Sequence, residues 1–337
     1  MRRTLTIATL LLLTPLVLLA QADDFYGIQQ PADTLAPYPN PDQEADYQLF
    51  YGEAADDDAA ADAMGKAIIQ GGSNGRVNTR PTATNNTEPC KLWVLLVADT
   101  EDDSIGDEDR YDNQSLQKEL KGIAQCLGLE LSVKNITGRA AYDKRNLAKA
   151  IKAMHPAKND IVFFSFNGHG FRWDNQKDKY PNICMIGPDD DVEGHYVLTT
   201  DIYNALVALK ARLTICFTDC CNSKIGEYAP RQQDNTLYSR SNARVSKKRM
   251  RDLLLNTEGS ILATAANPGE YAWSFGGSGS AFTQAFISQL RKELSTNNTE
   301  PTSWERLMDN TIRLARKKTE DCENTQNGIR YIKVRSL

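Results

Sequence analysis

The chain has 337 residues, 41% of them hydrophobic and 25% charged, with a formal net charge of −5. That composition excludes a wholly disordered or collagen-like chain, and the length suffices to bury a core without disulfides. The mild acidity offers no electrostatic footing for nucleic acid, so no nucleic-acid partner is expected.

Arg2 and Arg3 precede an apolar run from Leu5 to Ala20, and Ala20-Gln21-Ala22 fits the small-residue pattern of a signal-peptidase site. The expectation is a signal peptide over residues 1–22, cleaved after Ala22, with no stable membrane anchor left behind. The rival is an uncleaved anchor, the run being just short of a span. Cleavage would place the product outside the cytoplasm, secreted or periplasmic, where disulfides can form. Residues 23–88 carry twelve acidic and three basic side chains. With little periodic apolar content they read as an acidic flexible linker, or as a pro-segment cut at Arg76 or Arg80. From Cys90 onward the charges nearly balance, 34 basic against 32 acidic, and residues 89–337 read as the folded domain.

In that domain Lys91–Ala98 is a short continuous apolar run, as in a strand buried on both faces. Leu116, Leu120, Ile123 and Leu127 keep helical spacing, with Gly128 as the stop. Leu129–Val133 reads as a second strand, and Leu147, Ala150, Ile151 and Met154 as a helix ended by Pro156. Ile161–Phe166 is a third strand, followed by a hairpin-like stretch from Trp173 to Val197. A helix carrying Ile202, Leu206 and Leu209 is expected to be capped by Thr199 or Thr200. Leu213–Phe217 and Ser260–Thr264 are the fourth and fifth strands. Phe282, Ala285, Phe286 and Leu290 mark one late helix, and Trp304, Leu307, Met308 and Thr311 another. This alternation predicts an α/β fold with a mostly parallel sheet between helices. Ligands then bind beyond the carboxyl ends of the strands.

Two of those ends carry reactive groups. The third strand ends in Asn167-Gly168-His169-Gly170 and the fourth in Thr218-Asp219-Cys220-Cys221-Asn222-Ser223. A thiol with a free pKa of about 8.5 is only a few per cent thiolate at neutral pH. A neighbouring imidazole can take its proton and later protonate a leaving amine. Gly168 and Gly170 permit backbone shapes closed to other residues and allow close approach of a substrate. The amides of Gly170 and Cys221 could together form an oxyanion hole.

His169 and Cys221 are 52 residues apart, which matches the spacing of the caspase signature. With Asn-Gly-His169-Gly170, Asp219-Cys220-Cys221-Asn-Ser, Asp103-Ser104-Ile105 and Gly279–Phe286, the chain resembles the caspase and metacaspase superfamily of cysteine peptidases, over residues 90 to 300. The resemblance implies a three-layer α/β/α sandwich, a metacaspase-like endopeptidase, and protein or peptide substrates. It implies Cys221 as nucleophile, His169 as its partner and Cys220 as a neighbour. Metacaspases cut after Arg or Lys, so Asp219 and Asp112 become candidates for the S1 acids; Asp112 could equally be a plain helix N-cap. Asn167, where relatives often have serine, would touch the specificity pocket. Trp273 is a candidate for lining substrate subsites, with core packing the rival. The pattern departs from Cys-His-Ser-Gly after the nucleophile, where Asn222-Ser223-Lys224 stands, which leaves a catalytically inactive homologue binding peptides in the same groove as the alternative.

Arg231, Arg240, Arg244 and Lys247-Lys248-Arg249 fall where relatives carry a cleavable loop, and otherwise read as a solvated charged stretch. The chemistry requires no cofactor. Asp189-Asp190-Asp191 resembles the acidic stretch through which some metacaspases bind Ca²⁺, although a solvated turn fits it as well. No metal site is expected from the Cys and His spacing. Gly276–Ser280 lacks the ending of a phosphate loop. Cys126 and Cys216 read as core, and Cys90 and Cys322 could pair after export.

Overall fold

A computed structural model describes residues 90–185, 192, 194–227 and 244–337. The expected signal peptide, the acidic linker, residues 189–191, Arg231 and Arg240 lie outside the described residues.

The elements run β1 (Lys91–Ala98), α1 (Gly106–Leu127), β2 (Glu130–Thr137), α2 (Lys144–Ala153), β3 (Ile161–Asn167), β4 (Gly170–Phe171), β5 (Asn182–Cys184), β6 (Tyr196–Leu198), α3 (Thr199–Ala208) and β7 (Leu213–Asp219). They continue with α4 (Lys247–Leu254), β8 (Thr257–Thr264), β9 (Ser274–Phe275), β10 (Gly279–Ser280), α5 (Ala281–Leu294), α6 (Trp304–Lys318) and β11 (Ile329–Ser336). Six strands form one sheet in the order β11-β8-β7-β3-β1-β2. β2, β1, β3, β7 and β8 are mutually parallel, and β11 closes the edge antiparallel to β8.

The continuous apolar runs are explained by what covers each face. Val94 and Leu96 of β1, Phe163 of β3, and Ile215 and Phe217 of β7 point to the layer holding α1, α4, α5 and α6. Leu95, Val97, Phe164, Phe166 and Cys216 point the other way, to α2 and α3. With helices on both faces, successive strand residues are all buried, and the two-residue period disappears from the sequence. The result is the expected α/β/α sandwich with a mostly parallel sheet. In its larger layer Phe217 stacks on Phe282, ring centroids 4.7 Å apart and planes within 8°, and packs against Phe286 at 4.9 Å.

Three local expectations change. α3 starts at Thr199 itself, with Leu198 as N-cap, and neither Thr199 nor Thr200 caps it; the helix buries Ile202 and Leu206 against the sheet. Lys247, Lys248 and Arg249 are not in a loop but form the first turn of α4, where Lys248 pairs with Asp252 and Arg249 with the buried Glu293. The stretch 170–198 is a three-stranded sheet, β4-β5-β6, instead of a simple hairpin. All seven cysteines are free thiols, and the Cys90 thiol donates to the Asn159 carbonyl at 3.1 Å.

Phe217→Ala is expected to lower unfolding free energy by about 3–5 kcal/mol, the usual cost of emptying a buried aromatic site. Urea denaturation followed by tryptophan fluorescence would measure it.

Candidate active site

β3 and β7 lie side by side in parallel, with Asn167 opposite Asp219. Past the strand ends the pairing resumes: the Gly168 N–H donates to the Asp219 carbonyl at 3.3 Å, and Arg172 bridges to Lys224. The Arg172 N–H donates to the Ser223 carbonyl at 2.8 Å, and the Ile225 N–H to the Arg172 carbonyl at 3.1 Å. The numbering offset is 52 at Asn167–Asp219 and again at Arg172–Lys224. Residues 169 and 221 therefore occupy matching positions on adjacent chains. The 52-residue spacing in the sequence is the register of the two strands.

Between those rungs the chains are too close for a side chain. A Cβ on Gly170 would lie 2.5 Å from Cys220 Sγ and 2.6 Å from the Cys221 carbonyl oxygen. Neither Gly168 nor Gly170 has a positive φ, so close approach, not left-handed backbone, is what demands glycine there. Gly170 stands opposite Ile183 in the antiparallel pair of β4 and β5, and the rung beside it runs from the Cys184 N–H to the His169 carbonyl at 2.9 Å.

The adjacent cysteines differ in environment. Cys220 is 2% exposed, and burial pushes its thiol well up, with Cys221 and Asp219 adding to the effect. Cys221 is half-buried, and its sulfur accepts the Ala272 N–H at 3.3 Å and lies 3.7 Å from the Ala272 carbonyl. The following segment is pinned on several sides. The Asn222 N–H donates to the Glu270 carbonyl at 2.9 Å, and the Asn222 carbonyl accepts the Gly269 N–H at 2.8 Å. The Asn222 amide donates to the carbonyls of Lys179 and Ala266, at 2.8 and 3.1 Å, and accepts from the Arg172 guanidinium at 3.3 Å.

His169 Nε2 lies 3.3 Å from Asp102 Oδ2, both side chains about one quarter exposed. Asp102 comes from the loop between β1 and α1, and its contact with His169 holds its carboxyl well below the usual range despite partial burial. Asp99, at the root of that loop, goes the other way: burial, reinforced by Asp102, pushes it up to about 6.

Beneath this surface lies a buried acidic network. Asp112 is 0% and Asp219 4% exposed. Asp112 accepts the Ser280 N–H (2.8 Å), the Ser280 hydroxyl (2.6 Å) and the Gln284 amide (2.6 Å). Asp219 Oδ2 lies against the same Ser280 hydroxyl at 2.5 Å and accepts the Thr283 N–H and hydroxyl at 2.8 and 2.7 Å. A hydroxyl has one hydrogen. It can donate to only one of the two carboxyls it touches, so the arrangement favours a neutral carboxyl in the pair. Consistently, burial drives both carboxyls up, Asp219 adding to the effect on Asp112. The N-terminus of α5 supplies the amides that partly offset the charge.

Of the residues singled out from sequence, the register brings His169, Gly170 and Cys221 together, and Asp112 and Asp219 meet beneath them. Asn167 is buried, donating to the Thr283 hydroxyl at 2.9 Å, so it buttresses the acids from within. Asp112 lies beyond the first turn of α1, whose N-cap is Ile105; the capping alternative fails. Trp273 is corrected: its ring is fully buried, with the indole N–H on the Asn324 carbonyl at 2.6 Å. The half-buried Tyr271, edge-on to it, is the aromatic nearer the surface. Asp102, Asp99 and Asp109 carried no assignment. Asp109, three residues before Asp112 on one helix face, is visible as an i,i+3 acidic pair. Its Oδ2 is buried without a hydrogen-bond partner, and burial plus Asp112 hold its carboxyl well up. Among the described residues no group of three or more His, Cys, Asp or Glu is placed to hold a metal ion.

The family model for the caspase domain, peptidase C14, matches residues 109–326. The chain belongs to that family, and so to the cysteine peptidases, hydrolases acting on proteins or peptides. Among solved structures it is similar to caspase-1 from Spodoptera frugiperda, at 12% identity and a TM-score of 0.42, covering 79% of this chain and 94% of that one. No curated protein matches it.

Stability near the site should depend on pH through Asp99. Its folded-state pKa of about 6 exceeds the ordinary 3.8, so the native state binds the proton more tightly and this group's contribution is lost as pH rises from about 4 to 6. Asp99→Asn should therefore gain urea midpoint relative to the wild type between pH 4 and pH 7. Parallel midpoints at both pH values would reject the assignment.

Proposed function

We propose that the chain is an endopeptidase working through Cys221 and His169, with metacaspase-like preference for Arg or Lys at P1. The observation that carries this reading is the shared register, which sets imidazole and thiol on matching positions at the carboxyl ends of adjacent parallel strands.

In the proposed reaction His169 takes the Cys221 proton and the thiolate attacks the scissile carbonyl. The Gly170 and Cys221 amides hold the oxyanion, and the imidazolium then protonates the leaving amine. A water molecule activated by the same imidazole hydrolyses the thioester. The Ala272 N–H, donating to the sulfur at 3.3 Å, would hold the thiolate once formed, while in the free chain the thiol donates to the Ala272 carbonyl at 3.7 Å.

The basic P1 preference is supported by Asp112 and Asp219, whose raised carboxyls a cationic side chain would draw into their ionised form. Asp109, unpartnered at one oxygen and held protonated by burial, would add a third negative charge only once a bound cation draws it into its ionised form. Both acids are covered in the free chain, so the β10–α5 junction around Ser280 must give way to admit substrate. That junction is held to β9 by only two residue pairs. The inactive-homologue reading has no observation in its favour. Residues 1–22 would direct export, a mature chain beginning at Asp23 on mass analysis of exported protein being the check.

Purified full-length chain should hydrolyse fluorogenic peptides with Arg or Lys at P1 and not Asp, assayed with and without Ca²⁺. Cys221→Ala should abolish turnover. Asp219→Asn is expected to reduce kcat/KM for P1 Arg by a hundredfold or more, and wild-type kcat/KM should fall as pH drops and the acid pair takes up protons. Turnover only after Asp would overturn the specificity; none from any preparation would overturn the peptidase reading.

A further inference from the structure

We infer that Asp102 is a positioning residue for His169, converting the Cys221–His169 pair into a three-member relay. The inference rests on the proposed roles of those two residues. Its basis is a division of labour between the two carboxylate oxygens of Asp102. Oδ1 is committed to its own loop, accepting the Ser104 N–H at 2.7 Å, the Ser104 hydroxyl at 2.5 Å and the Ile105 N–H at 3.1 Å. The Asp102 carbonyl also accepts the Gly106 N–H at 2.9 Å, joining the loop to the first residue of α1. Oδ2 is left to face His169 Nε2 at 3.3 Å.

This arrangement chooses a tautomer. A carboxylate can only accept, so the imidazole carries its hydrogen on Nε2 and keeps a lone pair on Nδ1. Nδ1 is then the nitrogen that takes the thiol proton, and Asp102 stabilises the imidazolium that results. The Asp102 carboxyl stays ionised for this purpose, because His169 and Ser104 both favour its charged form. At 3.3 Å the contact is longer than a tight charge-assisted hydrogen bond, as catalytic contacts often are before substrate binds. Two other acids belong to the same loop environment: Asp99, which faces both Asp102 and His169, and Glu101, which is tied to the Arg139 N–H.

Asp102→Asn isolates the effect. Its oxygen can still hold Ser104 and Ile105, but its N–H₂ faces Nε2 and forces the hydrogen onto Nδ1, where it removes the base. The experiment measures kcat and KM on a P1-Arg peptide, together with the pH profile of iodoacetamide labelling at Cys221, located by peptide mass analysis. The full-length wild type is compared with Asp102→Asn, Asp102→Glu, Ser104→Ala and His169→Ala. Asp102→Asn should lose about a hundredfold or more in kcat, with KM within about threefold. Its labelling profile should move towards that of a free thiol, near pH 8.5. Asp102→Glu should recover part of the loss, and Ser104→Ala, which leaves Oδ2 in place, should stay within about threefold of wild type. If Asp102→Asn keeps the wild-type kcat and labelling profile while His169→Ala loses both, the relay is overturned and the dyad stands. It is equally overturned if Ser104→Ala loses as much as Asp102→Asn, since loop order alone would then account for the effect. If His169→Ala itself leaves the labelling profile unchanged, the dyad falls and the relay with it.

Discussion

Everything at the site depends on one backbone constraint, the common register that the β3 and β7 chains keep on both sides of the point where their strands end. In a sheet, side chains alternate between faces, so a one-residue slip would carry the imidazole and the thiol to opposite sides. The pairing at Asn167–Asp219 and its resumption at Arg172–Lys224 forbid that slip from both ends. Gly170, with no room for a Cβ against Cys220 and Cys221, lets the two chains approach this closely. The buried Phe and Ile residues of both strands then hold the register rigidly against the helices on either face.

A second consequence of that register is electrostatic. Asp219 is the last residue of β7, so the strand that delivers the thiol also delivers a carboxylate into the layer below it. There it meets Asp112 and Asp109 from α1. Three buried acids are a poor way to stabilise a fold, since each must be protonated or compensated. The chain offsets part of the cost with the amides at the start of α5 and the hydroxyls of Ser280 and Thr283, and the raised carboxyls escape the rest by holding their protons. Gly279, at φ +76°, brings the backbone against Asp112 where any Cβ would strike the carboxylate. Such a concentration of raised acids beside the half-buried Cys221 is the pattern expected of a functional site, where local stability is given up for chemistry.

The sheet was legible in the sequence because burial on both faces leaves continuous apolar runs, and four of the five parallel strands were bounded to within a few residues. The pairing of His169 with Cys221 was legible for a deeper reason: parallel neighbours share a fixed numbering offset, so a spacing between motifs is itself a register. β11 was not, since an edge strand reading Ile-Arg-Tyr-Ile-Lys-Val-Arg-Ser mixes charge with apolar residues and carries no core signature. Trp273 was misplaced because an aromatic beside a glycine-rich stretch looks equally suited to a groove or a core, and only the Asn324 carbonyl decides between them. Asp102 was missed although its neighbours Asp103 to Ile105 were noted. A carboxylate that reaches a histidine 67 positions away leaves no periodic trace.

The residues after Cys221 show what the departure from Cys-His-Ser-Gly means for the backbone. A glycine is needed where the chain adopts positive φ, which Lys224 does not; the turn comes at 225–226, where Gly226 has φ +85°. Cys221, Asn222 and Ser223 run beside His169–Phe171 between the two rungs, and Lys224 takes the bridge to Arg172. Asn222 stands where relatives have histidine, and its amide reaches two carbonyls while its oxygen takes the Arg172 guanidinium. Its backbone pairs with Gly269 and Glu270, the approach to the segment whose Ala272 amide touches the sulfur. The segment is clamped: Cys221 is steadied from the β8 side and the β4 side at once, and Lys224 takes its place in the pairing without a glycine's freedom.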